Sequence, residues 1–200
     1  MKTMKWLWIA ALLLTWGSGA RAQTGTEKHG GNGATTLDAL REKRALQVLL
    51  KSVEQQIVSA ADAMPADEYG YAPTEGEFKG VRTFAQQVKH LAASNHILAA
   101  AALGEDPPAD AGDEAGPETV RTKAEILEYL NGSFLHLGKA IDAIGNQNLP
   151  VKGSPISPLP ANAATRLALT VESLIHAFDH YGQMVEYLRA NGVVPPASRP

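Results

Sequence analysis

The chain offers six histidines and no cysteine. Two of the histidines stand four apart, His176 and His180. On a helix, positions four apart lie about 40° from one another on neighbouring turns, so two such imidazoles can chelate one metal ion. Spacing alone describes two histidines on a solvated face slightly better than it describes a chelate. Their neighbours at helical spacing form the row Leu169, Ser173, His176, His180, Gln183, Tyr187. A comparable row, Thr83, Gln87, His90, Ser94, Ile97, Ala101, contains a third histidine. Each row is offset by about 120° or more from the apolar stripe of its own helix. That offset puts the rows near solvent, or against each other across a polar groove between two helices. Few charges and the presence of Leu169, Ile97 and Tyr187 favour the groove, and metal sites in helical bundles are built from such positions.

Three neutral imidazoles, His90, His176 and His180, would hold a divalent metal ion with positions left open for water or substrate. Zn, Ni, Fe and Cu all suit such ligands. The ion would lower the pKa of a bound water or thiol and so make a nucleophile near neutral pH. The absence of cysteine excludes thiolate metal ligands, disulfides and a cysteine nucleophile, so any thiolate arrives with a cosubstrate. No phosphate loop, Ser-His-Asp set or paired carboxylates stand out. Glu172, Asp179 and Glu186 are equivalent candidates for a base. Asp179 and Glu186 read as solvated charges, with Asp179 able to orient a ligand from behind. Gln183 shares a face with His180 and could hold a water or substrate. His96 lies on another side of its helix from His90; it and His136 read as ordinary helix histidines, and His29 as a loop residue. A net charge of −3 and the lack of a basic run argue against a nucleic-acid partner.

Four segments must position these residues. Leu46, Leu50, Val53, Ile57, Ala60 and Met64 make one helical stripe, capped by Thr35 or Thr36 and stopped by Pro65. Val81, Phe84, Val88, Leu91, Asn95, Leu98 and Ala102 make a second, with Gly104 beyond its end. A third helix is expected from Glu118 to Ile144, opened by Pro117 and closed by Gly145. The fourth stripe is Leu167, Val171, Leu174, Phe178, Tyr181, Val185 and Leu188, ended by Asn191-Gly192. The joints, Asp106 to Pro117 and Leu149 to Pro160, carry no strand pattern. Four amphipathic helices bury their stripes most economically against one another, in an all-α four-helix bundle over residues 36–196.

Ahead of the bundle, Lys2 and Lys5 precede an apolar run from Trp6 to Trp16, and Ala20-Arg21-Ala22 has a small-x-small cleavage pattern. The run falls short of the roughly 20 residues a bilayer span needs. Residues 1–22 therefore read as a signal peptide, cleaved in preference to being kept as an anchor, and 23–35 as a flexible leader. The mature protein is expected in the periplasm or outside the cell, with no stable membrane span. A small-molecule substrate is the expected partner, and the sequence leaves a homodimer open. Two other classes of function compete with an enzyme: non-catalytic metal binding, and a protein-interaction bundle with incidental histidines.

The segment from His176 to Met184, His-Ala-Phe-Asp-His-Tyr-Gly-Gln-Met, and its continuation to Pro196 resemble the last-helix signature of the DinB-like family, in its exported branch. Phe84-Ala85-Gln86-Gln87-Val88-Lys89-His90 resembles the segment that supplies the family's third histidine. The resemblance spans about 36–196. It implies a four-helix bundle in an up-up-down-down-like arrangement. It also implies a divalent ion held by His90, His176 and His180, and relatives that include thiol-dependent transferases or isomerases.

Overall fold

In the computed structural model, residues 33–200 are described, apart from Asp110, Gly112, Asp113, Asn146, Gln147 and Leu149. The expected signal peptide and His29 lie outside the described residues. Four α-helices follow in order: α1 (Gly33–Ala63), α2 (Phe84–Leu103), α3 (Lys123–Asp142) and α4 (Arg166–Ala190). Among the described residues there is no strand beyond an isolated bridge between Pro150 and Thr165, and no helix is long and apolar enough to cross a membrane. The bundle is all-α, as the stripes require.

Side-chain contacts fix the helix directions. Lys43 and Gln47, early in α1, bond Asp142 at the end of α3, and Lys123 at the start of α3 bonds the Asp62 and Met64 carbonyls at the end of α1. Those two helices are antiparallel. Arg166, opening α4, donates to the carbonyls of both Ala102 and Ala143, so α2 and α3 end together where α4 begins. Gln87 near the start of α2 meets Gln183 near the end of α4. Hence α2 and α3 run parallel to each other and antiparallel to α1 and α4. The order is up-down-down-up, a correction to the up-up-down-down-like expectation. The reason is the α2–α3 connection, which is long enough to run back along α2. Lys89 Nζ donates to Pro117 O at 2.6 Å, and a Cβ on Gly116, at φ +74°, would meet Lys89 O at 3.3 Å. The returning chain lies directly on α2.

The caps differ from expectation in instructive ways. Helix α1 begins at Gly33, so Thr35 and Thr36 fall inside its first turn instead of capping it. Helix α3 starts at neither Pro117 nor Glu118 but at a reciprocal capping box, Thr122 with Glu125, which satisfies two otherwise orphaned backbone donors. Thr83 and Gln86 make the same box on α2, leaving Val81 outside the helix and partly exposed. Gly104 closes α2 in the left-handed conformation.

The core contains the expected stripe of α1, that of α2 from Phe84 onwards with Asn95 as a buried polar member and without the exposed Val81, and that of α3 from Ile126 to Ile144. Helix α4 departs from its expected stripe. Its buried positions are Leu169, Thr170, Ser173, Leu174, Ala177, His180, Met184, Tyr187 and Leu188, while Phe178 is 42% exposed. The inward face is thus rotated towards the histidine row, because Ser173 and Ala177 pack closely where bulkier residues would hold the helices apart. Phe134→Ala should therefore cost about 3–5 kcal/mol by leaving a cavity, while Phe178→Ala should cost less than about 1 kcal/mol. Denaturant unfolding of both variants measures this, and equal losses would restore the stripe centred on Phe178.

Candidate metal centre

Helix α2 supplies His90 from a helix buried on almost every side, and α4 supplies His176 and His180 from its inward row. The two rows face each other. Gln87, His90 and Ser94 on α2 are buried, as are Ser173 and His180 on α4. Ring centroids lie 4.8 Å apart for His90 and His180, 5.3 Å for His90 and His176, and 4.3 Å for His176 and His180. One nitrogen from each ring falls within 4.8 Å of the other two. The groove reading of the sequence is the correct one.

The arrangement fits an ion on two observations. The Nε2 atoms of His176 and His180 are 2.9 Å apart, close to the roughly 3 Å between two nitrogens bound at about 2.0–2.1 Å to one ion. Nδ1 of His90 lies 3.0 Å from the carbonyl oxygen of Glu114 and donates to it, which leaves Nε2 as the lone-pair nitrogen. Nδ1 of His176 is buried with no hydrogen-bond partner, and an ion on Nε2 leaves it so.

Glu114 has φ +74°, the one left-handed non-glycine among the described residues. That conformation costs on the order of 1 kcal/mol or more and aims the carbonyl at His90. The Glu114 carboxylate also comes within 3.9 Å of His90 Nδ1. Behind His180 runs an amide chain. Gln87 Nε2 sits 2.5 Å from His180 Nδ1 and donates to Gln183 Oε1 at 2.7 Å; Gln183 Nε2 donates to Asp179 at 2.9 Å. As placed, Gln87 Nε2 faces a lone pair on His180 Nδ1, which puts the proton on Nε2; ligation through Nε2 needs the Gln87 amide turned so that its oxygen faces Nδ1–H. Sequence reasoning gave Gln87 and Glu114 no role. Gln87 was visible in the α2 row beside His90, but Glu114 acts through its backbone, which leaves no residue-type signal.

Asp179 acts two amides away from the cluster, consistent with an orienting role. Gln183 orients Gln87. Glu186 pairs with Arg189 on the surface and Glu172 accepts from Ser157, so neither is placed as a base. His96 and His136 do not join the three. They meet each other between α2 and α3, Nδ1 to Nδ1 at 3.1 Å, with Glu105 3.6 Å from His136 Nε2.

Burial first, and then repulsion among the imidazoles, pulls His176 down to about 4 and His180 to about 3; burial also lowers His90. All three are neutral, and so able to ligate, at ordinary pH. In an unfolded chain these groups titrate near 6.5. Between that value and the folded ones the unfolded state binds more protons, so stability rises with pH in that window and is lost as pH falls through it. The metal-free protein should thus lose thermal stability steadily from about pH 6.5 towards pH 4. A double His176→Ala, His180→Ala variant should show a shallower dependence, and identical slopes in a Tm-against-pH series would refute the assignment.

Comparison with protein families gives a match to the DinB superfamily over residues 49–184, a span that contains all three histidines. No curated protein matches the chain.

Proposed function

The chain belongs to the DinB superfamily, and we propose that it is an exported metalloenzyme whose His90, His176 and His180 hold one divalent ion. The observation that carries this is the convergence of three neutral imidazole nitrogens from two helices, with His90 oriented from behind by Glu114 and His180 by Gln87. A bound ion supplies Lewis acidity that activates a water or a thiol at neutral pH. The protein supplies the rest. The Glu114 carbonyl holds the proton on His90 Nδ1. Gln87, held by Gln183 and through it by Asp179, contacts His180 Nδ1 and fixes the orientation of the ring. Three protein ligands leave room for an exchangeable one, the pattern of a catalytic rather than a closed structural site. The reaction classes that follow are metal-dependent hydrolysis, with water as nucleophile, and transfer to an electrophile from a thiol cosubstrate, since the chain has no thiol of its own.

The metal reading is tested on untagged protein. His90→Ala, His176→Ala and His180→Ala should each weaken divalent-metal affinity by at least about a hundredfold, and Gln87→Ala by about 10–100-fold through loss of orientation. His96→Ala and His136→Ala should leave it unchanged. Metal analysis of the five histidine variants and Gln87→Ala decides between these. Equal loss in His136→Ala would sink the ligand set. With esters, amides and thiol-plus-electrophile pairs as substrates, turnover should vanish with chelator and return with metal. Full metal occupancy without turnover of any of them would favour a binding protein instead.

Export rests on Lys2, Lys5, the Trp6–Trp16 apolar run and Ala20-Arg21-Ala22. Protein recovered from the exported fraction should begin near Gln23 on N-terminal sequencing. Full-length chain retained in the cytoplasm would refute it.

A further inference from the structure

Beside the histidine cluster an open groove of about 740 Å³ lies between the segment preceding α2 and the last turns of α4. Gln87, which is buried, and Gln183, which is exposed, both line it, and Gln87 touches His180, so the lining of the groove is in contact with the centre. Its walls are largely apolar and aromatic: Phe78, Val81 and Tyr187. The groove also contains one cation, Arg82.

Arg82 is the unexplained element. Its backbone is pinned, since the Tyr187 hydroxyl donates to Arg82 O at 2.9 Å, and the next residue, Thr83, caps α2. Its guanidinium, however, has no carboxylate partner among the described residues. The carboxylate that shares the groove, Glu186, is committed to Arg189 at 2.6 Å. The field of Arg82 reaches all three imidazoles, disfavouring the charged form of each. An exposed guanidinium without a carboxylate partner among the described residues, beside a neutral site, raises the local concentration of anions and can grip a carboxylate through two parallel hydrogen bonds.

We propose that this groove binds a small organic carboxylate, with Arg82 holding the carboxylate and Phe78, Val81 and Tyr187 receiving an apolar body next to the metal centre. A single guanidinium among apolar walls suits a monoanion. A phosphate dianion would call for more donors than the groove presents. The inference deepens the proposed function and rests on it, because the groove matters for chemistry only if the histidines hold an ion.

The test is calorimetric titration of the zinc-loaded protein with phenylacetate and with its neutral isostere phenylacetamide, metal content being measured on the same samples. Phenylacetate should bind at least tenfold more tightly than the amide. Arg82→Ala should erase that preference while metal content stays at the parent level, and Arg82→Lys should recover part of it. Equal binding of acid and amide by the parent would overturn the proposal. So would a preference that survives Arg82→Ala, since the carboxylate would then be ligating the metal rather than the guanidinium. Tighter binding of inorganic phosphate than of phenylacetate would also overturn it, by making the groove a phosphate site. Protein that takes up no zinc would instead overturn the metal reading, and the metal analysis shows which of the two has failed.

Discussion

Three imidazoles with centroids 4.3–5.3 Å apart cannot all carry charge away from water. Much of the molecule follows from keeping them neutral and aimed. A neutral imidazole has one N–H and one lone pair, and a buried one needs both placed. For His90 the N–H goes to a backbone carbonyl, and for His180 the Nδ1 side goes to a primary amide. Both hydrogen-bonding groups are uncharged, although the Glu114 carboxylate stands 3.9 Å from His90 Nδ1. The one nearby carboxylate in that network, Asp179, is held two amides away, where it orders the chain of hydrogen bonds without recharging the rings.

The carbonyl on His90 depends in turn on topology. Because α2 and α3 run parallel, the chain leaving α2 must travel back along the bundle before α3 can begin. That return segment is pressed on α2 through Gly116 and the Lys89–Pro117 bond, and it delivers Glu114 to His90 on the way. An antiparallel hairpin of α2 and α3 would have needed only a short turn and would have left His90 Nδ1 bare. The strained backbone of Glu114 is affordable only because the segment is held on both sides of it. Strain here marks the site, as it does in many proteins where surrounding structure over-determines one residue.

Much of this was legible in the residues, and the failures have physical causes. The apolar stripes of α1 and α2 were readable because large side chains recur at one helical phase. The two histidine rows were readable as a matched pair because both mixed polar and apolar residues with few charges. Helix α4 misled because periodicity counts bulk. Ser173 and Ala177 look like weak core residues, yet small side chains are what let α4 approach α2 closely enough for imidazoles to meet. Phe178 looked like core and is half in water. Pro117 drew attention as a helix opener, while Thr122 and Glu125 five residues later carried the stronger signal, two backbone donors satisfied at once. The direction of the helices could not be read at all, because the length of the joint after α2 is compatible with a loop or with a return path.

The second histidine pair shows why residue type alone does not make a metal centre. His96 and His136 approach about as closely as His176 and His180 do, 3.1 Å against 2.9 Å. Yet they face each other across α2 and α3 with no third imidazole, and the group beside them is the exposed carboxylate of Glu105. A neutral pair at that distance is already satisfied, one ring donating its N–H to the lone pair of the other. Around His90, His176 and His180 no such internal pairing can satisfy all three, since each N–H given to a neighbour leaves a buried nitrogen elsewhere, and His176 Nδ1 is the one left over. An ion would accept one lone pair from each ring at once, at Nε2 for His176 and His180, with His176 Nδ1 outside that count. The third convergent nitrogen, more than closeness, is what separates the centre from the pair.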